Sequence, residues 1–272
     1  MNASRRGHLS YLREDDPLHA QLVIGAIEWI TGRAQLEALY EEALAVIDTG
    51  IPYWEAVLNK LRITPDVTGG ENLKGVPKEG PLLIIANHPF GLVDGVIASQ
   101  IASTLRPHFQ VLVNEVLCTE KSLMKYFLPI DFRETREASR QNVEMRKEAL
   151  RTLSRGEAVI LFPGGGVATR RNGFGELREL PWGIFLAKLV QQSKATVLPL
   201  YFHGENSWLF HLASQIHLDL RLALFLRETR RLTGKSVSVD IRAPISYESL
   251  PRTHTKSELV QYLHDVTLQG GK

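Results

Sequence analysis

Three stretches of the chain are almost wholly apolar, residues 82–86, 158–162 and 195–202, and each is bounded by glycine, proline or polar residues. Runs this short, with no alternation, are the pattern of strands buried on both faces. Between them the apolar positions recur at helical spacing over 93–105, 136–154 and 182–192. Shorter strands are predicted at 67–69, 109–114, 128–131 and 236–242, with a short helix at 121–127. Strands separated by helices of this length need crossover connections. The expected fold is therefore α/β: a mixed, mostly parallel central sheet covered by helices.

Residues 17–62 read as a helical preface in three pieces. Leu18, Leu22, Ile24, Ile27 and Ile30 line the first, which Gly32 closes, and Leu36 to Ile47 line the second up to Gly50. Tyr53, Trp54, Val57, Leu58 and Leu61 line the third, which Pro52 opens. This N-terminal helical extension, residues 1–62, either packs on the sheet or lays its Trp and Leu face in a bilayer interface. Residues 63–272 then form the main domain.

Composition narrows the partners. The 272 residues carry a formal net charge of +2, so no overall field calls for nucleic acid, and an anion site has to be local. The one cysteine, Cys118, forms no internal disulfide, which fits a reducing compartment and a buried, inert thiol. No apolar run reaches the length of a spanning helix, and the basic N-terminus lacks the apolar core of a signal peptide. A cytosolic protein, or one held at the cytoplasmic face of a membrane, is expected.

The chemistry gathers at strand ends. The apolar run ending at Ala86 feeds into Asn87-His88-Pro89, and Asp94 follows His88 on a loop containing Gly91. A carboxylate that accepts the proton of one imidazole nitrogen orients the ring and raises the basicity of the other, making His88 a candidate general base. Asp94 also suits a helix cap. After the second apolar run comes Phe162-Pro163-Gly164-Gly165-Gly166, then Arg170 and Arg171. Glycine backbone N–H groups with two arginines suit a phosphate or an oxyanion, and a tight structural turn is the alternative. The spacing excludes a Walker A loop. Arg133, past a short strand, is placed to reach a phosphate or to form a surface salt bridge. Pro199 places its strand at an edge or a bulge, where apolar residues line an acyl chain or simply form core. There is no Gly-x-Ser-x-Gly elbow, and no His or Cys pair has metal-ligand spacing.

Taken in order, these blocks resemble the glycerolipid (lysophospholipid) acyltransferase superfamily, in its bacterial hemolysin-type and ornithine-lipid-type branch. Asn87 to Asp94 matches the His–Asp block, residues 130–133 fall at the second block, Phe162 to Gly166 at the Phe-Pro-Glu-Gly block, and residues 197–204 at the fourth. The resemblance, over roughly residues 65–245, implies transfer of a fatty acyl group to a lysolipid hydroxyl. The donor would be a thioester of acyl-carrier protein or coenzyme A, with no other cofactor. His88 and Asp94 would be catalytic. Asn87, Arg133, Gly164, Gly165, Gly166, Arg170, Arg171 and Pro199 would bind substrate. Lipid substrates and products also imply a peripheral membrane enzyme docked through the N-terminal helices; Arg221, Arg227, Arg230 and Arg231 either lie near anionic headgroups or form a solvated helix face. Five residues separate His88 from Asp94 where the family commonly has four. Gly164 stands where many members carry a substrate-binding Glu, and Glu176 is a candidate to supply that carboxylate. The competing reading is a non-catalytic lipid- or acyl-chain-binding protein.

Overall fold

The computed structural model describes residues 52–115, 118, 121–131, 135–216, 218–250 and 255–269, with the single positions 38 and 42. The first two helices of the preface, and Arg133, lie outside these residues.

The elements follow in order as α1 (Tyr53–Leu61), β1 (Thr64–Thr68), β2 (Leu82–Ala86), α2 (Leu92–Leu105), β3 (Phe109–Asn114), β4 (Phe127–Ile130), α3 (Arg136–Ser154) and β5 (Ala158–Leu161). They continue with β6 (Thr169–Arg170), β7 (Leu177–Arg178), α4 (Phe185–Ser193), β8 (Thr196–Phe202), α5 (Trp208–Ile216), α6 (Leu218–Leu232), β9 (Ser236–Ile241) and α7 (Lys256–Leu268). Seven strands form one sheet in the order β1-β9-β8-β2-β5-β3-β4. All neighbours pair parallel except β8 with β9. The sheet is thus mixed and mostly parallel, as the pattern predicts.

β2 lies in the interior of the sheet, and all five of its residues are buried. Alternation sends Leu82 and Ile84 to one face and Leu83 and Ile85 to the other. The first face packs on α1, α2 and part of α6, through Trp54, Leu58, Ile97, Ile101 and Leu226. The second packs on α3, α4 and α7, through Leu153, Leu186, Leu189 and Leu263. Each such side chain contributes about 1.5–3 kcal/mol of transfer free energy. Buried on both sides, the strand is unusually costly to disturb.

Of the two readings of the third preface helix, α1 takes the one in which it packs on the sheet: Trp54 is buried and meets the rings of Phe109, Tyr126 and Phe127. Pro199 is not at an edge, because β8 is interior, but it does sit at a bulge: Val197 faces Ile245 and Leu200 faces Ile241, so two residues of β8 stand opposite three of the partner chain. Its nitrogen is directed to the β9 side, as are those of Val197 and His203, which bond Ile245 O and Ser238 O. The antiparallel ladder begins at Leu200, and between Ile241 and Ile245 the partner chain swings away. A residue with no N–H suits that gap.

Candidate functional site

β2, β5 and β8 run parallel side by side, so their C-terminal ends share one edge of the sheet, the place where open α/β sheets gather ligands. Asn87 and His88 leave β2 there. The Asn87 amide donates from Nδ2 to Phe202 O (2.8 Å) and accepts at Oδ1 from Phe202 N (2.6 Å). It thereby clasps the end of β2 to the end of β8, with its own side chain buried.

His88 meets Asp94 across the turn: Nδ1 lies 3.1 Å from Asp94 Oδ2. The five intervening residues fit because Gly91 takes φ +92° and opens α2, which puts Asp94 in the helix's first turn. A Cβ at Gly91 would come 2.8 Å from the Phe225 ring, so space and backbone conformation both demand glycine. Asp94 Oδ2 also accepts the N–H groups of Phe90 (2.8 Å) and Gly91 (2.9 Å). These contacts on one oxygen hold the carboxylate in place beside the ring. Asp94 is wholly buried, whereas the His88 side chain is 19 % exposed. The imidazole stacks on Phe162, ring centroids 4.0 Å apart, which fixes its plane.

The segment from Pro163 to Gly183 folds over this edge. Gly183 N–H bonds Pro163 O and closes its base, and the β6–β7 pair stiffens its middle. Two hydrogen bonds fasten it to His88. Ala168 N–H donates to His88 O (2.8 Å), and His88 N–H donates to Glu179 Oε1 (2.5 Å). Glu179 Oε2 accepts the Trp182 indole N–H at 2.8 Å. Burial, opposed by these hydrogen bonds, pushes the Glu179 carboxyl above its ordinary value.

The other residues singled out in the sequence fall as follows. Gly165 N–H returns to Phe162 O within the loop, and Gly164 and Gly166 pack beneath Leu180. The Arg170 guanidinium is committed to Glu205, which it grips through Nε (2.6 Å) and Nη2, while its Nη1 donates to Gly175 O. Glu205 also meets His211 Nε2 at 3.0 Å. Arg171 is exposed beside it. Glu176 is exposed and pairs with Arg178 at 3.0 Å; the loop carboxylate that bonds His88 is Glu179. Arg221 is half-buried, bonds Val167 O at 2.7 Å and lies over the Phe210 ring. Arg227 and Arg231 share the buried carboxylate of Glu228, and Arg230 is exposed. Among the described residues no cluster of three His, Cys, Asp or Glu is arranged to hold a metal ion.

Sequence reading missed Glu179 and the stacking of Phe162. Phe162 was in view as the residue before the glycines. Glu179 stands among charged neighbours, and only its spacing from Trp182 hints at a partner.

The chain is similar to known proteins over most of its length. A lyso-glycine lipid O-acyltransferase of Bacteroides thetaiotaomicron is 27% identical over 228 residues, covering 80% of this chain and 79% of that protein. One of Phocaeicola vulgatus is 25% identical over 257 residues, covering 90% and 86%. The crystal structure of the 1-acyl-sn-glycerophosphate acyltransferase PlsC of Thermotoga maritima shares the fold, with a TM-score of 0.52 and 19% identity over 96% of this chain and 83% of that one. The sequence model of the acyltransferase family matches residues 25–262, spanning the strand-end edge and both clasps on His88. With that match over most of its length, the chain belongs to the acyltransferase family and is an acyltransferase enzyme.

Proposed function

We propose that this acyltransferase moves a fatty acyl group from a thioester, carried on acyl-carrier protein or coenzyme A, to the hydroxyl of a lysolipid. The observation that carries this reading is the contact of His88 Nδ1 with the buried, triply bonded Asp94 Oδ2. An ionised Asp94 holds the proton on Nδ1, leaving the Nε2 lone pair of a partly exposed ring as the base. Nε2 takes the acceptor's O–H proton as the oxygen attacks the thioester carbonyl carbon. The C–S bond then breaks, the ester forms, and the leaving thiolate receives the proton from the imidazolium. The N–H groups of Gly164 and Gly166, which bond no backbone carbonyl among the described residues, are candidates to steady the oxyanion.

The two bacterial relatives are named for lyso-glycine lipid, so an amino-acid lysolipid is the acceptor we favour over lysophosphatidate. Lipid substrates bring the enzyme to a bilayer surface. None of the described helices is long and apolar enough to cross a membrane. Phe174 (70 % exposed), on the loop that covers His88, and Trp208 (61 %) and Ile216 (65 %), at the two ends of α5, stand open, and Arg171 and Arg230 are exposed as well. Aromatic and aliphatic residues with cations suit a headgroup interface.

Incubating the pure protein with lyso-glycine lipid or lysophosphatidate, and with palmitoyl-coenzyme A or palmitoyl-acyl-carrier protein, tests the proposal by mass spectrometry. The diacyl product of lyso-glycine lipid is expected. Binding of lipid with no consumption of either thioester would instead support a non-catalytic carrier.

A further inference from the structure

The backbone of His88 is gripped on both sides by the loop that covers it, through His88 N–H to Glu179 and Ala168 N–H to His88 O. The preceding residue is locked as well, since the Asn87 side chain is occupied by Phe202. Of these groups, Glu179 alone is charged, and an ionised acceptor makes the stronger hydrogen bond. Its second oxygen takes the Trp182 indole, and Trp182 in turn packs edge-on to His264 of α7 at 5.2 Å. Glu179 therefore ties the base to the second face of the sheet. Of the carboxylates in residues 163–183, it is the one that hydrogen-bonds residue 88.

We infer that Glu179 is a positioning residue for acyl transfer, setting the orientation of His88 through the His88 N–H rather than touching the acceptor or donor. The inference rests on the reading of His88 as the base. Both carboxylate oxygens face N–H donors, so Glu179 works in its ionised form; a proton on either oxygen sets a donor against a donor. The titratable groups that interact with it are His88 itself, His264 on α7 and Tyr201 on β8. Misplacing a reacting group by about 1 Å costs on the order of 100-fold in rate, which sets the scale of the effect.

Glutamine is the informative replacement, because its amide has one accepting oxygen and Glu179 serves two donors. In Glu179→Gln, His88 and Trp182 compete for that oxygen. Trp182→Phe removes the competitor, so the double variant Glu179→Gln/Trp182→Phe frees the amide for His88. The full-length protein is assayed with lyso-glycine lipid and lysophosphatidate as acceptors and both palmitoyl thioesters as donors. His88→Ala runs in parallel, and thermal unfolding checks each variant. Glu179→Gln is expected to lower kcat by about 10- to 100-fold with the acceptor KM little changed. The double variant should recover most of kcat. The inference is overturned if folded Glu179→Gln keeps kcat within about twofold, if its loss lies in KM, or if the double variant stays as slow as the single one. An inactive His88→Ala beside a fully active Glu179→Gln defeats this inference alone. An active His88→Ala defeats the reading of the base itself. Should Glu179→Gln not fold, the wild-type protein with 15N-labelled histidine answers instead. A downfield, slowly exchanging His88 amide proton that moves as Glu179 titrates is expected, and an ordinary, fast-exchanging one overturns the inference.

Discussion

Gly164 and Leu180 lie backbone to backbone: a Cβ built on Gly164 would come 3.0 Å from the Leu180 carbonyl oxygen. The position at which the resemblance to the glycerolipid acyltransferases puts a glutamate is packed here under the returning arm of the loop, one residue from Glu179. Restoring that side chain does not restore a site. Gly164→Glu should push the arm off His88, cost about 1–3 kcal/mol of stability by overpacking, and lower turnover. Urea unfolding alongside a kcat measurement checks this; a folded Gly164→Glu variant with raised activity would show that the arm is a passive cover.

The Asn87 clasp should matter as structure. Asn87→Ala strands a buried N–H and a buried C=O of Phe202, each carrying a penalty of about 1–3 kcal/mol. Asn87→Asp keeps the acceptor but turns the donor into a second acceptor facing Phe202 O. Both variants should unfold at lower urea than wild type, and a denaturation midpoint that does not move would contradict the assignment.

Stability should respond to pH in two opposed ways. Burial raises the Glu179 carboxyl, so its contribution is fully present below the ordinary glutamate value of 4.5 and is lost as pH rises through its folded value. Glu205 is held low, first by its hydrogen bonds from Arg170, and its contribution is lost as pH falls below that ordinary value. His211, lowered chiefly by burial, adds a loss as pH falls below its ordinary 6.5. Urea midpoints at pH 4 to 8 should show the gap between wild type and Glu205→Gln narrowing toward acid. The opposite trend would contradict the pairing with Arg170.

The exposed residues on the covering loop and on α5 predict where lipid is met. Replacing Phe174 and Trp208 together by serine should reduce co-sedimentation with anionic phosphatidylglycerol vesicles and leave thermal unfolding unchanged. Undiminished sedimentation would place the contact elsewhere.

Much of this architecture is local enough to be read along the chain. β2 and β5 announce themselves because strands buried on both faces are continuously apolar. His88 and Asp94 were legible as a pair because one turn and the start of one helix bring them together. What escaped depends on distant partners. Glu179 is 91 residues from His88, and Glu205 is 35 residues from Arg170, so nothing in either neighbourhood reveals the pairing. Arg170 therefore reads in sequence as a free cation for an anion, and Glu176 looks as eligible as Glu179. Pro199 reads as an edge or a bulge, and the bulge is what the fold contains: the register slips by one residue between Val197 and Leu200, so no ladder hydrogen bond calls for the N–H that proline lacks. The reversal of β9 and the α5–α6 cover depend on where the chain goes after His203, which local periodicity does not encode.

The account stands most directly on the imidazole at the end of β2. Single-turnover acyl transfer from palmitoyl thioester to lysolipid, measured for wild type, His88→Ala and Asp94→Asn with folding verified for each, addresses it. His88→Ala should form no detectable product, and Asp94→Asn should be slowed by about 100- to 10,000-fold. Product formed by His88→Ala at the wild-type rate would contradict the assignment of the base.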